Sequence, residues 1–338
     1  MAWGVLAHAA PPAPKTFRIG VLTWSSTIEG QRVMREGLEA EAAALGTLDG
    51  GARVELLTRV AGDGPSGPKR QLAQMRELIS QRVDALIVQP TDNVALGPAL
   101  REANAAHIPV VAYDQYIEGG ELAAYVSSDN RQAGLLDGEY IAHHFPPGKP
   151  LRLILVEYPQ VSSTVERLDG FLAALKARGR TFTIVKTYAA VEPVAGRAVG
   201  AQVLTDFPKP GSIDVVFTVN DGGGLAVVDA RAAAGRTEIV VATIDGDPRS
   251  VENIKAGRLT VIDAAQFCGP LGATAFRATW ALLHGQRGAR VQLVPTFPIT
   301  RETLRLYPGW AGPLPAGFEK PWAPGERWEP QLHQVPAP

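Results

Sequence analysis

The feature that most constrains the fold of this chain is a strand-and-loop pattern that occurs twice. The segment VDALIVQPTD, which contains Asp84, parallels the segment IDVVFTVND, which contains Asp214. Further along, PVVAYD ends at Asp114 and IVVATID ends at Asp245, 30 and 31 positions after the first acid of each copy. The chain therefore carries two copies of one structural plan, and its fold has to accommodate both.

Within each copy, short β-branched runs alternate with amphipathic stretches of helical period. Nearly continuous apolar strands separated by helices are typical of a parallel sheet that is covered on both faces. The pattern predicts strands over 18–24, 54–58, 85–89, 110–113, 153–156, 183–187, 215–219 and 239–244, helices over 31–45, 71–80, 94–106, 164–177, 194–206 and 225–234, and a Gly/Pro loop over 62–68. We therefore predict an α/β protein made of two doubly wound parallel-sheet lobes.

Length, charge and cysteine content narrow the class of protein. A chain of 338 residues allows two domains of roughly 150 residues each. A net charge of −1 provides no basic surface for nucleic acid or for an anionic membrane, and no run approaches 18 uninterrupted apolar residues. The single cysteine, Cys268, excludes an internal disulfide and any multi-cysteine metal site. We expect it to be a small buried apolar residue.

The two ends of the chain differ from the repeated part. Residues 1–16 begin MAWGVLAHAA, in which Ala7-His8-Ala9 fits the small-x-small pattern before a signal-peptidase site, so we interpret them as a signal-peptide remnant. A disordered leader is the alternative. The segment 308–338 is rich in Pro, Gly and Trp, which excludes a helix or a central strand. Its three tryptophans predict an extended tail that packs on the surface.

Polar residues follow corresponding strands in the two copies. In open parallel sheets, ligands bind beyond the carboxyl ends of the strands. Asp114 and Asp245 are placed at such ends, one in each lobe, so two facing lobes would direct both carboxylates into one cleft.

Over residues 17–304 the chain resembles the ribose-type periplasmic sugar-binding proteins, which are the solute receptors of ABC importers. The segments that carry the resemblance occur in the family's order: IGVLTW, VDALIVQPTDN, IPVVAYDQ, YVSSDNRQAG, SSTVERLDGF, IDVVFTVNDGGGLAVV, IVVATIDGDP and the segment around Gln266. The resemblance implies a type I periplasmic binding fold with a multi-strand hinge. It implies an N-terminal lobe of residues 17–127 and 268–293, and a C-terminal lobe of residues 128–267 and 294–307.

The resemblance also implies a set of ligand contacts: Asp114, Arg167, Asn220, Asp245 and Gln266. These residue types suit a polyhydroxy ligand, because carboxylates accept, a guanidinium donates through a fork, and side-chain amides do both. Structural alternatives stay open for each position. Asp114 and Asp245 are also placed to cap a following loop or helix, and Arg167 to form a surface salt bridge. Asp221 is expected to be a helix N-cap, and Gln266 is the least secure contact.

The chain departs from the family where aromatic rings stack on the sugar. The segment Trp24 to Gln31 replaces the usual Asn-Pro-aromatic-aromatic segment, Gln115 replaces the Arg that commonly follows the strand-end Asp, and the second aromatic position falls near Val191. Trp24, Tyr113, Tyr116 and Tyr158 are candidates for a replacement stacking surface, with ordinary packing as the alternative. We predict that Trp24, Gln115, Tyr116 and Tyr158 line the ligand site. These departures make ribose itself a doubtful ligand.

Motifs for catalysis and cofactors are absent from the sequence. There is no GxGxxG after the first strand, no P-loop lysine and no GxSxG, and the adjacent pair His143-His144 diverges on a helix rather than chelating a metal. We therefore expect no enzyme activity, no cofactor and no metal, although a fold alone never excludes chemistry.

The sequence thus predicts a periplasmic solute-binding receptor. We expect it to close over a small polar ligand, sugar or polyol, and to deliver it to the membrane permease of an ABC importer. A periplasmic sensor that presents the ligand to a histidine kinase is the alternative. We further expect a monomer without nucleic-acid partners.

Overall fold

The computed structural model describes residues 15–48, 52–286 and 288–335. The first part of the chain alternates strands and helices up to the end of the fifth strand: β1 (Thr16–Thr23), α1 (Glu29–Leu48), β2 (Arg53–Val60), α2 (Gly67–Ser80), β3 (Ala85–Val88), α3 (Gly97–Ala105), β4 (Val110–Tyr113) and β5 (Ala124–Ser128). The greater part of the proposed leader, residues 1–14, lies outside the described residues.

The second part repeats the alternation, beginning with a helix: α4 (Asn130–His144), β6 (Leu151–Glu157), α5 (Ser162–Ala177), β7 (Phe182–Ala189), α6 (Pro193–Asp206), β8 (Val215–Thr218), α7 (Asp221–Ala233), β9 (Val240–Asp245), α8 (Pro248–Ala256) and β10 (Thr260–Ala265). The chain then returns to the first lobe and ends in the tail: α9 (Cys268–Leu283), β11 (Val291–Val294), β12 (Phe297–Thr300), a 3₁₀ turn (Leu304–Leu306), β13 (Phe318–Glu319), β14 (Arg327–Trp328) and β15 (His333–Val335).

Two main sheets form across the described residues, one in each lobe. The first has the strand order β15-β11-β5-β4-β3-β1-β2, and the second has the order β12-β10-β9-β8-β6-β7. All neighbouring strands are parallel except at one edge of each sheet, where β15 and β12 run antiparallel to β11 and β10. The central strands β3, β4 and β8 are buried at every position, because helices cover both faces. The prediction of two doubly wound lobes is confirmed.

Three segments that cross between the lobes connect β5 to α4, β10 to α9, and β11 to β12. The tail crosses once more, since β12 lies in the second sheet and β15 in the first. The prediction recognised most of the alternating core but gave no element at α4, α8, α9, β5, β10, β11 or β12. It also gave the loop over 62–68 too many residues, since α2 already begins at Gly67 with Pro68 in its first turn. Proline is tolerated there because the first N–H groups of a helix have no intrahelical partner.

The tail packs along the surface, as its tryptophans predicted, and it also crosses both lobes. Trp310 and Trp328 are buried, whereas Trp322 is half-buried. The Trp328 indole donates to the Thr296 carbonyl at 2.7 Å, beside the β11–β12 crossover. A short antiparallel pair, β13 with β14, packs Phe318 and Trp328 on Phe297, and β15 then joins the edge of the first sheet. None of the helices among the described residues has both the length and the apolar character to cross a bilayer.

Glycines bring a pair of helices into backbone contact in each lobe. In the first lobe, a Cβ built on Gly37 of α1 would lie 2.8 Å from the Cα of Gly269 in α9. In the second lobe, a Cβ built on Gly134 of α4 would lie 2.7 Å from the Phe171 nitrogen of α5. Real Cβ atoms do not approach backbone this closely, so the tight helix crossings require glycine. The α4–α5 crossing matters for function because it positions Arg167.

We expect Gly37→Ala to lower the free energy of unfolding by about 1–3 kcal/mol, since the new methyl group overpacks against α9. Gly46→Ala is the matched control on the same helix, because its Cβ would lie 3.6 Å from the nearest atom, in ordinary contact. There the gain in helix propensity, about 0.5–1 kcal/mol, should leave stability equal or higher. Urea denaturation of both variants measures the difference. Equal effects of the two substitutions would contradict the close-packing argument.

Candidate ligand site between the lobes

The two lobes are in direct contact at the mouth of the cleft. The Asn93 N–H of the first lobe donates to the Gln160 carbonyl of the second at 2.9 Å, and the Ser162 N–H donates to Asn93 Oδ1 at 2.8 Å. The Tyr116 N–H donates to Ser162 Oγ at 2.9 Å. These interlobe hydrogen bonds hold the lobes in a closed arrangement over the carboxyl ends of both sheets.

A small cavity of about 20 Å³ lies behind these contacts. In this closed arrangement it has room for little more than one water molecule, so a larger ligand fits only when the lobes move apart. Both lobes contribute polar and apolar side chains to it. The lining consists of Trp24, Ile28, Gly30, Gln31, Met34, Asp114, Gln115, Val161, Ser163, Thr164, Arg167, Val191, Asn220, Asp245 and Gln266.

The two strand-end acids have unusual backbone conformations. Asp114, after β4, has φ of 66°, and Asp245, at the end of β9, has φ of 136°. Residues other than glycine rarely adopt positive φ, and such conformations cost of order 1–3 kcal/mol. Both copies of the repeat therefore hold an acid in a strained turn at the corresponding place. Neither carboxylate caps a backbone N–H among the described residues, so the capping alternative is wrong for both.

The Asp114 carboxylate is held by two side-chain amides. Gln89 Nε2 and Gln115 Nε2 both donate to Asp114 Oδ2, at 2.8 and 2.7 Å. Burial raises the pKa of Asp114, while the Arg167 charge and the two amide bonds lower it in part. Gln115 therefore orients the acid that precedes it and also borders the cavity.

Arg167 is the buried cation of the site. Its Nη1 donates to Asp245 Oδ1 and to the Val219 carbonyl, both at 2.9 Å, and its Nε donates to Asn130 Oδ1 at 2.9 Å. Only 3% of its surface is exposed, so the alternative of a surface salt bridge is wrong. Burial raises the pKa of Asp245 to about 6 despite this ion pair.

Gln266 connects the second lobe to the first. Its Nε2 donates to Asp245 Oδ1 at 2.6 Å, and its Oε1 accepts from Ser128 Oγ, at the end of β5, at 2.7 Å. Gln266 was the least secure of the predicted contacts, and it forms side-chain hydrogen bonds on both sides of the hinge. Asn220 also borders the cavity, but its amide caps α7 by accepting from the Gly223 N–H and donates to the Val191 carbonyl. Asn220 is therefore the N-cap that was expected at Asp221.

The aromatic candidates occupy different places. The Trp24 ring borders the cavity, and Tyr158 packs behind it at a centroid distance of 5.9 Å. Tyr116 packs edge-on against Tyr125 and does not line the cavity, although its backbone closes the mouth. Tyr113 is fully buried in the core of the first lobe, so it provides no stacking surface. The structure thus brings one of the four rings to the cavity wall.

Sequence reasoning missed several lining or supporting residues. Gln89 follows β3 in the same way that Asp114 follows β4, so the strand-end rule was sufficient to find it. Gln31, Ser163 and Thr164 lie near the N-terminal ends of α1 and α5. Only the packing of these helices places them at the cavity, and the sequence carries no local signal for that.

A group of buried acids lies behind the Asp245 end of the site. Asp221 accepts from Thr243 Oγ1 and from the Asp247 N–H, and Asp263 accepts from the Gly246 N–H. Burial raises the pKa of Asp263 to about 8, and burial with repulsion from Asp263 raises that of Asp221 well above its usual range. Burial likewise raises the pKa of Asp137, whose carboxylate oxygens have no partner among the described residues.

Comparisons with known proteins place the chain beside binding proteins for import. The family described as periplasmic binding protein domain matches residues 19–287. The chain is 28% identical over 255 residues to the ribose import binding protein RbsB of Escherichia coli strain K12, which covers 75% of this chain and 80% of the relative. It is 30% identical over 275 residues to RbsB of Bacillus subtilis strain 168, covering 80% and 82%.

Solved structures agree with this fold. An ABC transporter periplasmic solute-binding protein from Actinobacillus succinogenes 130z, crystallised with bound D-allose, is 25% identical. It superposes with a TM-score of 0.72 and covers 86% of this chain and 100% of that protein.

We expect the stability of the ligand-free protein to fall as the pH rises from 5.5 to 7.5. An unfolded Asp titrates near 3.9, whereas Asp263 in the folded state titrates at about 8, so only the folded state binds this proton across the window. Each such proton contributes up to about 1.4 kcal/mol per pH unit. Urea denaturation at several pH values measures the slope.

Asp263→Asn should flatten this slope, because the amide oxygen still accepts from the Gly246 N–H but does not titrate. Asp214→Asn is the control. Lys149 and Arg152 lower the pKa of Asp214 to about 2 against the effect of burial, so its contribution is fully present above pH 4 and is constant over the window. An unchanged slope in Asp263→Asn would show that Asp263 does not hold the proton.

Proposed function

The chain belongs to the periplasmic binding protein domain family, and from that membership we propose that it is the solute-binding receptor of an ABC importer, acting outside the cytoplasm, in the periplasm. Its ligand is a small polyhydroxy molecule, a sugar or a polyol. The observation that carries the proposal is the closed cavity between the lobes, with a strained strand-end carboxylate from each lobe at its wall.

The free polar atoms of the cavity suit hydroxyl groups. Among the described residues, Asp114 Oδ1, Asp245 Oδ2 and Gln115 Oε1 accept no hydrogen bond, while Arg167 Nη2 and Gln31 Nε2 donate none. A hydroxyl both donates and accepts, so a polyol can satisfy both kinds of atom. Trp24, Val161 and Val191 form an apolar cluster that can contact the C–H face of a sugar.

Closure of the lobes accounts for how such a receptor reports its ligand. The three crossovers form a hinge, and a ligand that touches both lobes favours the closed state only through contacts that the open state lacks.

We propose lobes of residues 17–127 with 268–293 and of residues 128–267 with 294–307. The ligand contacts proposed from the sequence are Asp114, Gln115, Arg167, Asn220, Asp245, Gln266, Trp24, Tyr116 and Tyr158, and we retain them, with Tyr116 acting through its backbone and Tyr158 through Trp24.

The alternatives receive less support. The relatives named above are import binding proteins, which gives the kinase-linked sensor no support. The family is one of transport receptors rather than enzymes. The permease is therefore the partner that we propose, with the receptor acting as a monomer.

We expect a sugar or polyol ligand to raise the melting temperature and to lower the radius of gyration in solution. Both effects follow from closure, because the ligand binds only the folded chain and bridges the lobes. A thermal-shift screen of pentoses, hexoses and polyols, followed by X-ray scattering with the tightest hit, measures them. Binding without compaction would contradict the closure mechanism.

Asp245→Asn should weaken the binding of that ligand roughly tenfold to 150-fold, since hydrogen bonds to charged groups contribute about 1.5–3 kcal/mol. Asp84→Asn is the matched control. Asp84 precedes β3, at the amino-terminal ends of the strands and so at the far side of the first sheet from the cavity. Its carboxylate accepts from the Arg18 N–H at 2.7 Å. Calorimetry should therefore give an unchanged dissociation constant for the control. Full affinity in Asp245→Asn would remove that carboxylate from the site.

A further inference from the structure

The charges that line the cavity do not balance. Its ionisable side chains are two carboxylates, Asp114 and Asp245, and one guanidinium, Arg167. Arg167 pairs with Asp245 at 2.9 Å. Among the described residues, no Lys, Arg or His nitrogen lies within 4.0 Å of the Asp114 carboxylate.

Neutral amides take the place of a cation beside Asp114. Gln89 and Gln115 satisfy Oδ2 only, so Oδ1 accepts no hydrogen bond from the described residues. Amide donors supply two hydrogen bonds but no charge, and Arg167 acts on this carboxylate only from beyond ion-pair distance, so burial raises the pKa of Asp114. A cationic group bound at Oδ1 would stabilise the ionised carboxylate.

A second unsatisfied acceptor belongs to the next residue, Gln115. Gln115 is 4% exposed, and its Oε1 is buried without a hydrogen-bond partner. The orientation of this amide is determined, because turning it over would place its oxygen against Asp114 Oδ2 in place of the donating nitrogen. The Asp114–Gln115 end of the cavity therefore contains a carboxylate oxygen and a buried amide oxygen that both lack a donor.

A protonated amine fits these two acceptors better than a hydroxyl does. A hydroxyl carries one hydrogen to donate, whereas a primary ammonium carries three and also brings the missing positive charge. We propose that the ligand is a polyhydroxy amine, an amino sugar or an amino polyol, whose ammonium group binds between Asp114 and Gln115. This inference rests on the proposed receptor function and specifies the class of its ligand.

The same charge balance disfavours anionic ligands. A uronate or a sugar phosphate would bring negative charge into a cavity whose one cation is already paired with Asp245. Neutral sugars would leave Asp114 without a counter-charge, so we expect them to bind more weakly than the corresponding amines.

The test is calorimetry on the full chain with matched probes. D-glucosamine, D-galactosamine, D-mannosamine and 1-amino-1-deoxy-D-glucitol are each compared with the neutral parent, and the amino sugars also with their N-acetyl derivatives, which keep the nitrogen but lose the charge. At least one amine should bind tenfold or more tightly than both neutral partners.

Gln115→Arg tests the cause of this preference. An arginine at 115 supplies the cation beside Asp114, so the ratio of amine to neutral affinity should fall at least tenfold. Gln202→Arg adds the same charge at an exposed position of α6, away from the cavity, and should leave the ratio unchanged. This control separates a local ion-pair effect from a change in overall charge.

The outcomes separate the inference from the function that it rests on. Tight binding of a neutral sugar or polyol, with equal or weaker binding of its amine, overturns the amine proposal and leaves the receptor function standing. If no amine binds, the proposal also fails, and if the neutral probes fail as well, the receptor function fails with it. An amine preference that survives in Gln115→Arg overturns the proposed position of the ammonium.

Discussion

The polar network of the candidate site depends on one buried cation. Arg167 connects Asn130, at the first crossover, with Asp245, at the end of the second sheet, through bonds of 2.9 Å. Asn130 in turn donates to Ser127 Oγ, which donates to the Asp114 carbonyl, so a continuous chain of hydrogen bonds joins the two strand-end acids. A lone buried guanidinium would be strongly unfavourable, and only the full set of partners makes its position stable. The same partners fix the side chain and leave Nη2 without a hydrogen-bond partner among the described residues.

The local sequence sets the position of this cation through packing rather than charge. Arg167 is on α5, whose backbone lies against Gly134 of α4, and Gly170 one turn further on would place a Cβ 3.0 Å from the Leu135 nitrogen. The two helices approach this closely because neither carries a side chain at the crossing. A glycine that looks unremarkable in the sequence therefore shapes the proposed site, because it determines how far the guanidinium reaches toward Asn130 at the first crossover.

The duplicated plan predicted the sheets and the strand-end acids, because both follow from local rules. Apolar runs of strand length specify buried parallel strands, and a ligand meets such a sheet at its carboxyl edge. Those rules also reach Gln89, which was overlooked. They do not reach Gln31 or Ser163, whose places depend on how helices pack. The rules also do not predict which aromatic rings reach the cavity, because the burial of a ring depends on the residues that pack around it. Tyr113 is buried in the core, whereas Trp24 borders the cavity. Helix α4 was missed because its apolar residues do not form a single stripe, since both of its sides are covered.

The strained backbone of Asp245 is held by contacts from both the tail and the hinge. A non-glycine residue with φ of 136° persists only where its surroundings over-determine its conformation. The Asp245 carbonyl accepts from the Gln266 N–H at 2.9 Å and from the Trp310 indole at 2.6 Å, while its carboxylate accepts from Arg167 and Gln266. Trp310 comes from the tail, and its own carbonyl accepts from the Gly269 N–H of the first lobe at 3.1 Å. A segment outside the repeated plan thus ties the strained residue to the opposite lobe. Opening the cleft has to move this indole or carry the tail with one lobe. The tail is therefore mechanically coupled to the site, although none of its described residues contributes a side chain to the cavity wall.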